Sequence, residues 1–140
     1  MAETALAADG WEQVHTTVFS AAIGPTWMRG RPGAREVALP TDKRVANDHM
    51  GMVHGGALMT FADIALGIAV VDEIGGAHCA TAQLQYQFAG GAKIGSLVTC
   101  EPEVVRRTST MVFTRGLFKA DGKVIGSADA IFKVFPTPAG

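Results

Sequence analysis

The sequence predicts an α+β fold in which one long apolar helix packs on an antiparallel sheet. The helix is indicated by residues 57–71, where apolar side chains cover nearly the whole circumference, as is typical of a buried helix. The sheet is indicated by the change of period that follows, because polar and apolar residues alternate over residues 79–88. One such helix followed by several strands predicts that the helix covers one face of the sheet.

Length, composition and charge exclude several classes of function. The 140 residues fit one domain, 48% of them are hydrophobic, and the net charge is −1. No basic stripe stands out, so we expect no nucleic-acid partner. The N-terminus lacks the pattern of a secretory signal, and the longest apolar stretch contains Asp63 and is too short to span a bilayer comfortably. We therefore expect no membrane partner. The two cysteines form no CxxC motif and suggest no disulfide framework, so we expect a cytoplasmic protein.

The segments before the helix carry weaker signals. Residues 1–10 predict a flexible leader, and residues 11–140 a single domain. WEQVHTTVFSAAIG is predicted to begin as a short helix, and GPTWMRGRPG is predicted to be a turn region because glycine and proline interrupt it. AREVALP predicts a short strand, and the polar segment TDKRVANDHMGMV predicts a loop.

The segments after the helix predict four strands in an antiparallel meander. Gly75 and Gly76 end the helix. CATAQLQYQF is the first strand, with Ala80, Ala82, Leu84, Tyr86 and Phe88 on one face and Thr81 on the other. GSLVTCEPEVVRRT, STMVFTRGLFKA and KVIGSADAIFKVF follow, the last two joined by a tight turn at Asp121-Gly122. A single helix leaves the edges of such a sheet open, which predicts a homo-oligomer.

Asp63 is the first candidate for a functional residue. A carboxylate on a buried helix costs free energy unless it is paired or lies at a cavity. A structural acid bonded to backbone amides or to an arginine would explain it equally well in isolation. However, Gly56, Thr60 and Gly67 surround it at helical spacing, and this stripe of small residues favours a cavity.

His54-Gly55-Gly56 lies where the helix begins and predicts an oxyanion site. The amides of a helix's first turn lack partners, and glycines let a ligand oxygen approach them. Asp63 lies roughly 10 Å further along the helix, by the 1.5 Å rise per residue. One small group cannot reach both sites, so the acid would act with the glycine turn of a neighbouring subunit.

Two other chemistries are conceivable for these residues. His-Gly-Gly also occurs in the oxyanion loop of α/β-hydrolases, but this chain has neither a G-x-S-x-G motif nor a repeated βα pattern. A zinc site built from His49, His54, His78 and Cys79 matches no compact ligand spacing. We therefore expect no metal.

The segment GMVHGGALMTFADIALGIA strongly resembles the signature of the hotdog-fold acyl-CoA thioesterases, the group that contains the phenylacetate-pathway and 4-hydroxybenzoyl-CoA thioesterases. The resemblance extends from Gly51 to the C-terminal strands. It is most specific at His-Gly-Gly with an acid nine residues after the histidine, and at TAQLQYQFAGGAKIG as the next strand and turn. It implies a long helix wrapped by a sheet, active sites at a dimer interface, often a dimer of dimers, an acyl-CoA substrate and no cofactor.

The resemblance also implies roles for individual residues. Asp63 corresponds to the catalytic carboxylate, which either activates water or attacks the thioester directly. The Gly55 amide would polarise the thioester carbonyl, and His54 would orient that turn or approach the thioester sulfur. Thr81 lies where members often place a Ser or Thr that positions the water, although it is equally explained as an ordinary strand threonine.

The chain departs from the family pattern at two places. Members commonly have Asn or Gln six residues before the histidine; here that residue is Asp48, and Asn47 lies one earlier. The usual Arg-Pro after the first long strand is replaced by Ala89-Gly90-Gly91, which predicts a more flexible turn beside the pantetheine arm.

The remaining candidates concern substrate binding. Arg106 and Arg107, with Lys119 and Lys123, are candidates for the CoA phosphates or are solvated charges. Ile64, Gly67 and Ile68, together with Gly56, line the acyl pocket or belong to the plain core, and Met50, Met52 and Met59 form an adaptable wall or simply pack. The rival functions are a hotdog dehydratase or hydratase, whose His and acid arrangement we do not find, and a non-catalytic acyl-CoA-binding or sensing module. A purely structural subunit would explain neither His-Gly-Gly nor the buried acid.

Overall fold

The computed structural model describes residues 2–48 and 51–136. The helices and strands in these residues are α1 (Ala2–Ala8), β1 (Glu12–Gln13), β2 (Trp27–Arg31), β3 (Ala34–Pro40), α2 (Gly55–Glu73), β4 (Cys79–Phe88), β5 (Leu97–Cys100), β6 (Glu103–Arg107), β7 (Met111–Ala120) and β8 (Lys123–Val134). Short 3₁₀ turns occupy Ser20–Ile23 and Lys43–Val45. The strands form one antiparallel sheet in the order β1-β2-β3-β5-β7-β8-β4, and β6 also pairs with β7.

Helix α2 lies against one face of this sheet and forms the core with it. Its buried residues are Ala57, Leu58, Phe61, Ala62, Ala65, Leu66 and Val70. Phe61 meets Phe118 of β7 edge to face, with 5.8 Å between ring centroids. A single long helix wrapped by an antiparallel sheet is the hotdog arrangement, so the predicted fold class is confirmed.

The predicted meander is wrong in its strand order. The sequence places β4 beside β5, but within the described residues β4 pairs with β8 alone and forms one edge of the sheet. The second predicted strand is broken at Glu101-Pro102 into β5 and β6, because proline has no N–H to donate to a ladder. The predicted hairpin is confirmed: Asp121 and Gly122 both have positive φ, as a type I′ turn requires.

The N-terminal third also differs from its prediction. WEQVH does not begin a helix, because Glu12 and Gln13 pair with β2 as a short strand. GPTWMRGRPG is not only a turn: Trp27–Arg31 forms β2, and Pro32-Gly33 alone makes the turn to β3. The glycines of this segment led to the prediction of a turn, although it contains a strand whose first residue, Trp27, is buried.

The predicted flexible leader contains helix α1. The residues of α1 are good helix formers, chiefly alanine and leucine. Leu6 is buried in a small cluster with Trp11, Trp27 and Ala38 on the sheet face away from α2. The guanidinium of Arg29 lies 4.3 Å from the centroid of the Trp11 ring and adds a cation–π contact. The domain boundary at residue 11 stays a prediction.

One face of α2 remains uncovered, contrary to the prediction of a helix buried all round. Met59 and Val71 are 36% and 45% exposed, and Ile64, Gly67 and Ile68 are half-buried. By length and composition α2 could also cross a membrane, which the shorter predicted stretch could not. Core helices meet the same criterion, and the opposite face of α2 packs on the sheet.

Candidate active site

His54 caps helix α2 and accounts for the glycine that follows Gly55. The Gly56 N–H donates to His54 Nδ1 at 2.8 Å, which leaves the proton of a neutral imidazole on Nε2. A Cβ on Gly56 would lie 3.1 Å from His54 Nδ1. Glycine at this position therefore makes room for the ring that caps the helix.

The first turn of α2 has one N–H group left over. The N–H groups of Ala57 and Leu58 donate to the His54 carbonyl at 3.0 and 3.2 Å, and Gly56 donates to the His54 ring. Among the described residues, the Gly55 N–H has no acceptor. Because the helix dipole adds partial positive charge there, this group suits a developing oxyanion, as the sequence predicts.

Two neighbouring segments hold this helix end in place. Asn47 N–H donates to the Met52 carbonyl at 2.7 Å on one side. On the other, Val53 N–H donates to the Ala92 carbonyl at 2.8 Å. A Cβ on Gly91 would collide with the Met52 side chain. The Gly90-Gly91 turn is thus packed beside the loop that carries His54, at the end of α2 where the substrate is expected.

Phe88 is part of this end, although its sequence position gave no signal for it. Its ring atoms Cε1 and Cζ lie 3.2 and 3.3 Å from where a Cβ on Gly55 would be. The ring is 54% exposed. Gly55 is therefore a glycine for a steric reason, since any side chain would press on Phe88.

Asp63 and Thr81 are joined directly. The Thr81 hydroxyl donates to Asp63 Oδ1 at 2.6 Å. The sequence puts Thr81 on the face away from Leu84 and Tyr86, and this prediction is wrong. The register of β4 against β8 shifts between Thr81 and Gln83, so Ala82 is an extra residue of a β-bulge. Before the bulge the faces exchange, and Thr81 pairs across the ladder with Phe132, a core residue.

The bulge brings a thiol to the same face. Cys79 is half-buried, and burial, with the nearby Asp63 carboxylate as the second cause, raises its pKa. The sequence pointed to Cys79 only as a zinc ligand. Within residues 2–48 and 51–136, no three His, Cys, Asp or Glu side chains could hold a metal ion together, and His49 lies outside these residues.

Asp63 and Gly55 do not meet within one chain. Eight residues separate them on the same helix, about 12 Å by the helical rise. Thr81 is exposed and Asp63 only half-buried, so the acid faces the open side of the molecule. Two cavities among the described residues, of about 610 and 520 Å³, lie against other residues, and the first of them is on the opposite sheet face beside Leu117 and Ser127.

The other predicted residues are distributed along the helix. Arg107 lies at the far end of α2, where Nη1 donates to the Glu73 carbonyl at 2.9 Å, and Arg106 is exposed beside it. The exposed Asn47 and Asp48 precede the helix. Met50 lies outside the described residues.

Comparison with known proteins points to one family. A sequence profile of the thioesterase superfamily matches residues 50–126. The chain is 30% identical over 113 residues to a Pseudomonas aeruginosa protein that bears the provisional name of an esterase, covering 79% of this chain and 83% of that one.

Solved structures show the same fold. A conserved protein of Pseudomonas aeruginosa superposes with a TM-score of 0.78 at 20% identity, covering 86% of this chain and 95% of that one. A hypothetical thioesterase of Streptococcus pneumoniae, solved with coenzyme A, superposes with a TM-score of 0.72 at 19% identity, with coverage of 86% and 95%.

Proposed function

Because this chain belongs to the thioesterase superfamily, we propose that it hydrolyses acyl-CoA thioesters to the free acid and CoA. The observation that carries the proposal is the Gly55 N–H, left without an acceptor at the start of α2 among the residues described. The coenzyme A bound by the Streptococcus pneumoniae relative supports CoA as the leaving group.

In the proposed reaction the thioester carbonyl oxygen accepts the Gly55 N–H. Thr81 occupies Asp63 Oδ1, which leaves Oδ2 to take a proton from water. The water oxygen bonds to the carbonyl carbon, the C–S bond breaks, and the thiolate of CoA takes the proton back from Asp63. In the alternative route Oδ2 attacks the carbonyl carbon itself and the C–S bond breaks, so that the CoA thiolate leaves. Water then hydrolyses the resulting anhydride to the free acid and the Asp63 carboxylate, and the released proton goes to the thiolate.

We propose that two copies of the chain complete each site. The free edge of β4 carries no charged residue over ten residues, whereas edges that must stay unpaired usually carry charge or proline. Pairing of this edge in a second copy would also cover the open face of α2. Gly55 of one subunit would then lie near Asp63 of the other, as the separation within one chain requires.

The decisive assay follows release of free thiol from a panel of aryl and aliphatic acyl-CoAs. Replacing Asp63 with Asn should lower kcat by about 100-fold or more if Asp63 moves the proton. Thr60→Val, one turn away on the same helix, is the matched control, because its hydroxyl only bonds the Gly56 carbonyl. If no CoA ester is hydrolysed although several bind, the chain is a non-catalytic acyl-CoA-binding module instead.

Mixing two inactive variants tests whether the site is shared. Gly55→Pro removes the amide donor and Asp63→Asn removes the acid. In a mixed dimer one of the two sites regains both groups, so an equimolar mixture should recover roughly a quarter of the parent activity after subunit exchange. A mixture as inactive as its components would place both groups in one subunit. A dimer of dimers and the cytoplasmic location remain predictions.

A further inference from the structure

Phe88 has an unusual environment for an exposed aromatic residue. It is the last residue of β4, and its ring lies against Gly55 at the start of α2. Behind it, a series of rings leads into the core. The Phe88 and Tyr86 centroids are 4.5 Å apart, those of Tyr86 and Phe118 5.4 Å, and those of Phe118 and Phe61 5.8 Å. Only the outermost ring of this series is exposed.

The packing behind Phe88 leaves its ring little freedom to move inward. Tyr86 is buried, and a Cβ on Gly126 of β8 would collide with its ring and hydroxyl. Tyr86 thus fills the space that a Cβ on Gly126 would need. A Cβ on Gly55 would similarly meet Phe88. The absence of a Cβ at Gly55 and at Gly126 therefore leaves the space that the Phe88 and Tyr86 rings fill.

The position of the ring relative to the Gly55 amide defines what a substrate must contact. The amide nitrogen of Gly55 and the position that a Cβ would occupy are both one bond away from the Gly55 Cα, so they are close together. A carbonyl oxygen that accepts this N–H lies about 2.9 Å from the nitrogen. The ring, at 3.2 Å from the Cβ position, is therefore beside the carbonyl group that binds there. With the acyl side of the thioester turned toward the ring and the sulfur turned away from it, the carbon next to that carbonyl is the part of the acyl group closest to Phe88.

We propose that Phe88 is a specificity-determining residue that limits the bulk on the acyl carbon adjacent to the thioester carbonyl. This inference rests on the proposed function, because it assumes that the Gly55 amide receives the carbonyl. A linear acyl group presents one methylene to the ring and fits. An α-branched group presents an additional methyl to a ring that is backed by the buried Tyr86, and its transition state binds less well.

The test compares butyryl-CoA with isobutyryl-CoA, which have the same number of carbons and differ in branching at this carbon. The measured quantity is the ratio of their kcat/KM values in the parent, Phe88→Leu, Phe88→Ala and Phe88→Trp. One methyl group in an apolar site changes kcat/KM by about 10-fold or more. Phe88→Ala should therefore shift the ratio toward isobutyryl-CoA by about 10-fold, Phe88→Leu by less, and Phe88→Trp in the opposite direction.

Leu117→Ala is the matched control, since Leu117 is similarly exposed, at 53%, but lies on the sheet face away from α2. Its ratio should equal that of the parent. A purely structural role for Phe88 would lower the thermal stability of the variants and leave the ratio unchanged, which would overturn the inference. Because the size series contains three substitutions, a misfolded alanine variant still leaves two that decide it.

The outcomes also separate this inference from the proposed function. If the parent hydrolyses neither ester nor any other acyl-CoA, both proposals fail. If the parent is active and Asp63→Asn is not, but the ratio is constant across the Phe88 series, the thioesterase assignment stands and only the role of Phe88 is rejected.

Discussion

The two ends of helix α2 satisfy their backbone groups differently. At the C-terminal end, Gly76 N–H donates to the Val71 carbonyl at 3.0 Å and Arg107 donates to the Glu73 carbonyl. Asp72 of the same turn forms an ion pair with Arg35 of β3 at 3.0 Å. At the N-terminal end the His54 ring accepts the Gly56 N–H, and no residue that the structure describes accepts the Gly55 N–H.

This difference agrees with a structural role for the C-terminal end and with the catalytic role proposed for the N-terminal end. Both ends have orphan backbone groups by geometry, and side chains, water or a ligand can satisfy them. Here side chains from the rest of the fold close one end, whereas the described residues leave a donor unused at the other. An unused donor beside a half-exposed aromatic ring indicates a place for a ligand.

The largest effect is expected from removing the unused donor. Gly55 is the first helical residue, where proline is well tolerated, and His54 before it has the extended conformation (ψ 137°) that proline requires. Gly55→Pro should lower kcat by about 100- to 1000-fold. Gly55→Ala is the matched control, because it adds the same Cβ against Phe88 but keeps the N–H. Equal losses in the two variants would attribute the defect to crowding of Phe88 rather than to the amide.

A smaller effect is expected at the cap itself. His54→Ala removes the acceptor of the Gly56 N–H and should destabilise the protein by about 1 kcal/mol in chemical denaturation. His54→Asn supplies another capping side chain and should restore most of that stability. If His54 also approaches the thioester sulfur, His54→Asn should have a lower kcat than the parent although its stability is close to that of the parent. Full activity of His54→Asn would limit the histidine to capping.

At the closed end, a change should alter stability and leave catalysis unaffected. Arg107→Met keeps the apolar stem but loses the bond to the Glu73 carbonyl, at a cost of about 1 kcal/mol. Arg106→Met is the control, because Arg106 is exposed and has no recorded hydrogen bond among the described residues. A raised KM for acyl-CoA in either variant, with unchanged stability, would instead support the predicted contact with the CoA phosphates.

A buried thiol in the core beneath α2, that of Cys100, should make the free energy of unfolding depend on pH in the alkaline range. Burial raises the pKa of Cys100 to about 12 from an ordinary 9.0, with Glu101 as the second cause. A raised pKa favours the folded state below the unfolded pKa, so this contribution is full below pH 9 and is lost as pH rises toward 12. The free energy of unfolding of Cys100→Ala should therefore fall less steeply above pH 9 than that of the parent. Parallel curves would contradict the assignment.

The smallest expected effect is on the reactivity of Cys79, the first residue of β4, whose thiol lies near Asp63 of α2. Burial and then Asp63 raise the pKa of its thiol, so Asp63→Asn should lower that pKa and leave the effect of burial. At a fixed mildly alkaline pH, iodoacetamide should modify Cys79 faster in Asp63→Asn than in the parent. The buried Cys100 serves as the internal control for unfolding. An unchanged rate would mean that the carboxylate does not act on the thiol.

The sequence predicted the features that depend on local pattern. Its apolar circumference over residues 57–71 located α2 to within two residues at each end, and Asp121-Gly122 located the β7–β8 hairpin. The sequence also predicted that His54 and Gly55 lie at the start of the helix that carries Asp63. It predicted that the Gly55 amide and the Asp63 carboxylate of one chain are too far apart to act on the same small group. Both inferences needed only helix geometry.

The features it missed depend on pairing between distant strands. Nothing local places β4 beside β8, and nothing local shows that β2 forms a strand despite its glycine. The orientation of Thr81 was wrong because strict alternation assumes an uninterrupted ladder. Phe88 was overlooked because its contact with Gly55 arises only when the end of β4 meets the start of α2.

The bulge at Ala82 has a consequence for how the residues of this site can be found by mutagenesis. The methyl group of Ala82 is exposed, and replacing it with serine would leave Asp63 and Thr81 in contact, so a substitution scan would score the position as tolerant. Deleting Ala82 restores even alternation and turns Thr81 away from the helix. What the chain requires there is an additional residue, whatever its type, and deletion scanning is the experiment that detects such a requirement.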